Sequence, residues 1–187
     1  MVRIAIFASG SGSNMENIYS YFRSSKEISV CLLCTNKSDS GSVVRANKLG
    51  LPVFCIEPGG ASLLEECLKK ESISFIVLAG FLAKIPKKIV SLFKNKILNI
   101  HPSLLPKYGG KGMYGKNVHR SVISSGERKS GISIHFVDEE YDTGRVIFQK
   151  SFVLEKSETI ESLEKKIKRL EYIFFPKIIE STIKSSL

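Results

Sequence analysis

Asn99 and His101 stand two residues apart in LNIHPSLLP, residues 98–106, at the end of an apolar run and just ahead of two prolines. Residues i and i+2 at the end of an extended segment project to the same side, so an amide and an imidazole can converge on one reacting atom. That pairing suits acyl transfer. An Asn side chain can donate to a developing oxyanion, and a His can hold or deliver a proton near neutral pH. Asp142, in VDEEYDTG, is the natural third member because a carboxylate orients an imidazole and favours its charged form. No serine or cysteine occupies a G-x-S-x-G elbow, so direct attack by an amine is simpler than a covalent acyl-enzyme.

The other residues with chemical potential read differently. His119 falls on a helical stretch and His135 in the middle of an apolar strand, where a hydrogen-bonded core role is expected. The three histidines show no H-x-x-E-H or H-x-x-x-H spacing, so no metal is expected. Cys31 and Cys34 form a C-x-x-C inside VCLLCT, yet positions i and i+3 of a strand face opposite sides. With no second pair, and with Cys55 and Cys67 unsuitably spaced, buried reduced thiols are expected. SGSGSN, residues 9–14, follows one strand and opens a helix, a place where free N–H groups and glycines can cradle a phosphate. It is an incomplete dinucleotide fingerprint, because Met15 stands where the third glycine belongs and no acidic residue closes the next strand. GGKG at 109–112 lacks the spacing of a Walker A loop and reads as a mobile loop.

Apolar runs at 2–8, 28–34, 52–56, 73–79, 97–100, 131–137 and 145–153 are short and rich in Val, Ile, Phe and Cys. Helical stretches at 13–24, 40–49, 61–71 and 86–94 separate the first five, which predicts βαβ units. Continuous apolar strands covered on both faces predict a parallel sheet. After residue 100 come a Gly, Lys and Pro-rich loop at 102–116, a helix at 117–126, two strands joined by the VDEEYDTG turn, and a last helix at 157–182. The expected fold class is α/β, a single-domain three-layer sandwich over 1–187 with a mostly parallel twisted sheet and a Rossmann-like amino-terminal half.

A chain of 187 residues with 43% hydrophobic residues can bury a substantial core, and no run approaches 18 apolar residues. With no leader pattern at MVRIAIFASG, the expectation is a cytoplasmic protein with no membrane partner. The net charge of +10 raises a nucleic-acid reading. Against it, the lysines are spread along the chain, and Lys165, Lys166, Lys168 and Arg169 fall at helical spacing that suits a solvated face, with Tyr172, Phe174 and Phe175 expected in the core beside them.

FASGSGSN at 7–14, VLAGFLAKIP at 77–86, NIHPSLLPKYGG at 99–110 and GISIHFVDEEYDTGRVIFQ at 131–149, in that order, resemble the phosphoribosylglycinamide formyltransferase family over almost the whole chain. The resemblance implies the formyltransferase fold and transfer of a formyl group from 10-formyltetrahydrofolate, a cosubstrate, to the amine of glycinamide ribonucleotide, with no metal and no nucleic acid. It implies Asn99, His101 and Asp142 as catalytic residues. Gly12, Ser13 and Asn14 would hold the acceptor's phosphate, and Glu171 would contact the acceptor. Leu82, Ala83, Lys84 and Ile85, with Asn99 and the backbone of Asp138, Glu139, Glu140, Tyr141 and Asp142, would line the folate pocket. Two departures stand out: related enzymes often carry Arg in the segment that reads LAKI here, and KGMYG adds length where several have a shorter turn.

HPSLLP and the following Asp are shared with other folate-dependent formyltransferases, so neighbouring activities compete. A methionyl-tRNA formyltransferase is expected to carry a further carboxy-terminal domain, and a formyltetrahydrofolate hydrolase a regulatory domain ahead of SGSGSN. A basic nucleic-acid-binding module would have no reason to assemble Asn99, His101 and Asp142. Monomer and homodimer are equally compatible with the sequence.

Overall fold

The computed structural model describes residues 1–186, and among the described residues there are seven strands and six helices. In order they are β1 (Val2–Phe7), α1 (Ser13–Phe22), β2 (Ile28–Thr35), α2 (Gly41–Leu49), β3 (Val53–Cys55), α3 (Ala61–Lys70), β4 (Phe75–Leu78), α4 (Lys87–Leu92), β5 (Ile97–His101), α5 (Lys116–Ser124), β6 (Lys129–Phe136), β7 (Val146–Val153) and α6 (Ile160–Lys184). The sheet runs β3-β2-β1-β4-β5-β6-β7, parallel from β3 to β5 and antiparallel from β5 to β7.

Period-two alternation divides the core. Ile4 and Ile6 pack with Met15, Ile18, Val118, Leu163 and Phe175 from α1, α5 and α6. Ala5 and Phe7 turn the other way, to Leu64, Leu68 and Ile89 from α3 and α4. The sheet is therefore the middle of three layers, and β4 and the Ile4–Phe7 part of β1 read as unbroken apolar runs because both their faces are covered. Met15, the residue that breaks the dinucleotide fingerprint, is fully buried beneath α1. Among the described residues, no helix is long and apolar enough to cross a membrane.

Chain direction reverses around β1: α1 and α2 lead outward to β2 and β3, and the next crossover returns to place β4 on the opposite side of β1. The carboxyl ends of β1 and β4 consequently diverge into a crevice, bridged at its base by Ser9 N–H donating to the Gly80 carbonyl at 3.0 Å. α6 is fixed at its start by a capping box in which Thr159 accepts from Ser162 N–H at 3.1 Å. Such a cap contributes about 1 kcal/mol.

One expectation is corrected within β2. The ladder pairs Ile4 with Val30 and Ala5 with Leu32, so Cys31 is an extra residue in a bulge. The bulge resets the parity, and Cys31 and Cys34 pack against the same face of the sheet rather than opposite ones. Only Cys34 is fully buried; Cys31, Cys55 and Cys67 are partly exposed, and all four are free thiols.

Candidate active site

The last turn of β5 delivers Asn99 and His101 on one side, and the antiparallel register sets His135 of β6 directly opposite Asn99. Asn99 Nδ2 lies 3.0 Å from His135 Nε2 and 3.4 Å from Asp142 Oδ1. His135 Nδ1 is 2.8 Å from the Phe136 carbonyl, which can only accept, so Nδ1 carries the proton and Nε2 is free to accept from the Asn99 amide. This orients Asn99 with its NH2 toward the cleft chemistry.

His101 is 3% exposed, and its Nε2 donates to the Tyr108 carbonyl at 2.7 Å. The remaining nitrogen, Nδ1, faces Asp142 Oδ2 at 3.5 Å. Asp142 adopts a left-handed backbone conformation, φ 58°, at the end of a turn closed by Asp138, whose Oδ1 accepts from Glu140 N–H at 3.1 Å and from Thr143 Oγ1 at 2.7 Å. Gly144 is obligatory in that turn, since a Cβ would fall 1.9 Å from the Phe136 carbonyl oxygen. Asp142 Oδ2 also accepts from Gly110 N–H at 2.9 Å.

Burial lowers the His101 pKa below its ordinary value and outweighs the raising effects of Asp142 and the Tyr108 carbonyl. The sequence expectation of a net carboxylate-raised imidazole is thus corrected: the carboxylate effect is present, but desolvation is larger. Burial would likewise raise Asp142, yet its carboxyl lies below the usual value, held there by the His101 ring and the Gly110 N–H that face it. The resting site therefore favours a neutral imidazole beside a carboxylate. A negative charge developing next to Nδ1 would reverse the balance at His101.

These groups open into a cleft of about 640 Å³ at the carboxyl ends of the parallel strands. At one end Gly12, Ser13 and Asn14 form the start of α1. Gly12 has φ 75°, and a Cβ there would lie 2.5 Å from Ser42 Cα, so the loop depends on glycine. Asn14 Nδ2 donates to Glu171 Oε2 at 2.8 Å across the α1–α6 contact. Burial of its carboxyl pushes the Glu171 pKa up to about 7, against the lowering effects of Asn14 and Lys168. Asn14 Oδ1 and His119 Nδ1 are buried without a hydrogen-bond partner among the described residues. At the other end, Leu82 N–H donates to Ser9 Oγ at 3.0 Å, while Lys84 and Lys87 pair with Glu140 and Glu139 at 2.9 and 2.7 Å.

Every residue named from the sequence lines this one cleft: Gly12, Ser13, Asn14, Leu82, Ala83, Lys84, Ile85, Asn99, His101, Asp138, Glu139, Glu140, Tyr141, Asp142 and Glu171. Sequence reasoning missed four contributors. His135 is a hydrogen-bonded core histidine as expected, but it also contacts Asn99; His119, Glu164 and Lys168 also line the cleft. Lys168 is exposed, as expected of a solvated face, and stands at the rim of the cleft, where it pairs with Glu164 at 2.7 Å. Beside it Phe175 is buried and Phe174 partly so, whereas Tyr172, expected in the core, is 39% exposed. No group of three or more His, Cys, Asp or Glu side chains able to hold a metal ion occurs among the described residues.

Asn99 and His101 on β5 and Asp142 in the turn between β6 and β7 belong to an α/β chain whose residues 2–179 match the formyl transferase family, and the chain belongs to it. Relatives include the chloroplastic phosphoribosylglycinamide formyltransferase of Vigna unguiculata, 41% identical over 96% of this chain and 60% of that protein. The phosphoribosylglycinamide formyltransferase of Bacillus subtilis is 32% identical over 98% of this chain and 95% of its own length. The chain thus spans less than two thirds of the Vigna and Arabidopsis thaliana relatives, 60% and 64%, but nearly all of the Bacillus one. Among solved structures, phosphoribosylglycinamide formyltransferase from Bacillus halodurans superposes with a TM-score of 0.90 at 30% identity, covering 99% of this chain and 97% of that one. Glycinamide ribonucleotide transformylase 1 from Geobacillus kaustophilus gives 0.86 at 34% identity, with coverage of 96% and 97%.

Proposed function

We propose that this chain transfers the formyl group of 10-formyltetrahydrofolate to the amine of N1-(5-phospho-D-ribosyl)glycinamide, glycinamide ribonucleotide, in purine biosynthesis. The observation that carries the reading is the convergence of Asn99, His101 and Asp142 between two chemically different ends of one cleft. The helix-start end suits a phosphorylated acceptor, and the end lined by Leu82, Ile85 and the 138–142 turn suits a pterin. Relatives of the same name and nearly the same length support the choice of acceptor.

In this mechanism the neutral amine attacks the formyl carbon, forming a new C–N bond and a tetrahedral oxyanion. The Asn99 N–H now held at 3.4 Å by Asp142 is weakly engaged and turns to the oxyanion, while its partner N–H stays on His135. His101 takes up a proton from solvent at Nδ1 as the oxyanion forms, with Asp142 stabilising the imidazolium, and returns it to solvent when the intermediate collapses. The tetrahedral species then collapses, breaking the bond to the folate nitrogen. A proton from the amine passes to that nitrogen through water held by Asp142. Glu171 and Asn14 hold the acceptor, and Gly12 and Ser13 its phosphate. The protein works in the cytoplasm as a monomer or homodimer of one domain, residues 1–187, without a metal.

Steady-state kinetics of Asp142→Asn and His101→Ala test these assignments. Removing one oxyanion stabiliser costs about 3 kcal/mol, on the order of a hundredfold in kcat. Both variants are expected to lose at least that while KM for each substrate changes little. Retention of more than about a tenth of wild-type kcat in either variant contradicts its assigned role.

A further inference from the structure

Two backbone groups of one short segment reach the catalytic side chains. The Tyr108 carbonyl accepts from His101 Nε2 at 2.7 Å, and two residues later Gly110 N–H donates to Asp142 Oδ2 at 2.9 Å. Because a carbonyl can only accept, the position of this segment decides which His101 nitrogen is occupied and which is left for chemistry.

Holding the segment there requires anchors, since Tyr108 is a non-glycine residue at φ 58°. On the inner side Ser103 Oγ donates to the Lys107 carbonyl at 2.7 Å. Gly109 is packed so closely that a Cβ would meet Leu105 Cδ2 at 2.6 Å and Asp142 Cβ at 3.2 Å. On the outer side stands Glu127, in the connection between α5 and β6. Its Oε1 accepts from Lys107 Nζ at 2.7 Å and from the Tyr108 hydroxyl at 3.0 Å. Glu127, Lys107 and Tyr108 do not line the substrate cleft.

We propose that Glu127 is a positioning residue for formyl transfer: by gripping Lys107 and the Tyr108 hydroxyl it holds the Tyr108 carbonyl on His101 Nε2 and leaves Nδ1 facing the reacting atoms. The proposal rests on the reading of His101 as the group that takes up the proton. Glu127 acts at a distance, through one side-chain grip and one backbone carbonyl. Charged or titratable groups facing His101 from its other sides are Asp142, His135 and, from α5, His119; none of them contacts Glu127.

The test compares wild type with Glu127→Ala, Glu127→Gln and Tyr108→Phe by steady-state kinetics over pH, with nitrogen-15 spectra of the His101 ring in the free protein. Glu127→Ala is expected to lower kcat about tenfold, since small misplacements of a catalytic group are costly, with KM for both substrates within about twofold. The acid limb of kcat is expected to move to lower pH, because the Tyr108 carbonyl favours the charged ring and its hold is loosened. The ring spectrum is expected to lose its uniform Nε2–H form. Glu127→Gln keeps an acceptor oxygen and is expected to restore most of the rate. Tyr108→Phe is expected to produce a smaller shift in the same direction, and the combined Tyr108→Phe, Glu127→Ala change to be less than additive. Unchanged kcat in Glu127→Ala, or a loss of kcat with the pH limb and ring spectrum unmoved, would overturn the proposal. The spectrum needs no turnover: if the wild type transfers no formyl group the functional reading fails, and the ring signal still decides whether Glu127 positions His101.

Discussion

His101 has one ring nitrogen committed to the Tyr108 carbonyl, so proton traffic is confined to Nδ1 and to the side that Asp142 faces. In the proposed mechanism, a buried imidazole that resists charge in the resting site becomes an efficient acceptor of a proton only when an oxyanion appears beside it, which is differential stabilisation of the transition state. Glu171 carries the opposite burden. Its folded pKa of about 7 lies above the ordinary 4.5, so between those values the folded chain binds more protons than the unfolded one, and stability falls as pH rises through that window. Glu171→Gln is therefore expected to stabilise the fold at pH 8 by on the order of 1–2 kcal/mol, discounted for the partly open cleft, with almost no gain near pH 4. Thermal melting at the two pH values checks this, and KM for glycinamide ribonucleotide is expected to rise in the same variant. Asn99 and His101 were legible in the sequence because their relation is local, two residues on one strand. Asp142 needed a motif, and His135 was not legible as a neighbour of Asn99, since they are 36 residues apart and meet only through an antiparallel register. The direction of the His101 pKa was misjudged for a related reason: a sequence displays the carboxylate but not the depth of burial.

The elements position the site through loops whose geometry tolerates few substitutions. At the start of α1, Gly12→Ala would combine a left-handed backbone with a Cβ 2.5 Å from Ser42 Cα, forcing the loop away from α2. The expected outcome is a loss of about 1–3 kcal/mol in stability. A rise of about tenfold or more in KM for the phosphorylated acceptor should accompany it, with KM for the folate changed far less, because the end proposed for the pterin is built from the segment after β4 and the 138–142 turn. Urea unfolding and substrate-specific kinetics read both effects. Strand positions were legible almost to the residue: the runs read at 52–56 and 145–153 are Val53–Cys55 and Val146–Val153. Short Val, Ile and Phe-rich segments between Gly, Pro and Ser punctuation leave little freedom. The bulge at Cys31 was hidden, because an extra residue in an apolar run leaves the composition unchanged and is visible only when the ladder is paired. The place of Lys168 at the rim of the cleft was hidden similarly, since helical spacing says which residues share a face but not what lies beside that face.

At the scale of the whole molecule, the net charge of +10 is distributed widely, and many lysines are already paired with carboxylates, among them Lys69, Lys84, Lys87, Lys88, Lys107, Lys166, Lys168 and Lys184. The surplus attracts anions generally, and both proposed substrates are anionic. Raising salt from about 0.05 to 0.5 M is expected to lower kcat/KM severalfold by screening, with kcat nearly constant. A salt-independent kcat/KM would remove long-range attraction from the account. The charge alone fits an RNA-binding protein equally well, and the Asn99–His101–Asp142 cluster is what distinguishes the two readings. The most direct measurement follows release of deformylated folate from 10-formyltetrahydrofolate by purified protein, with and without glycinamide ribonucleotide. The account predicts turnover that requires the acceptor and yields one formylated glycinamide ribonucleotide per folate released. Equal turnover without the acceptor, or none with it in a correctly folded protein, would contradict it.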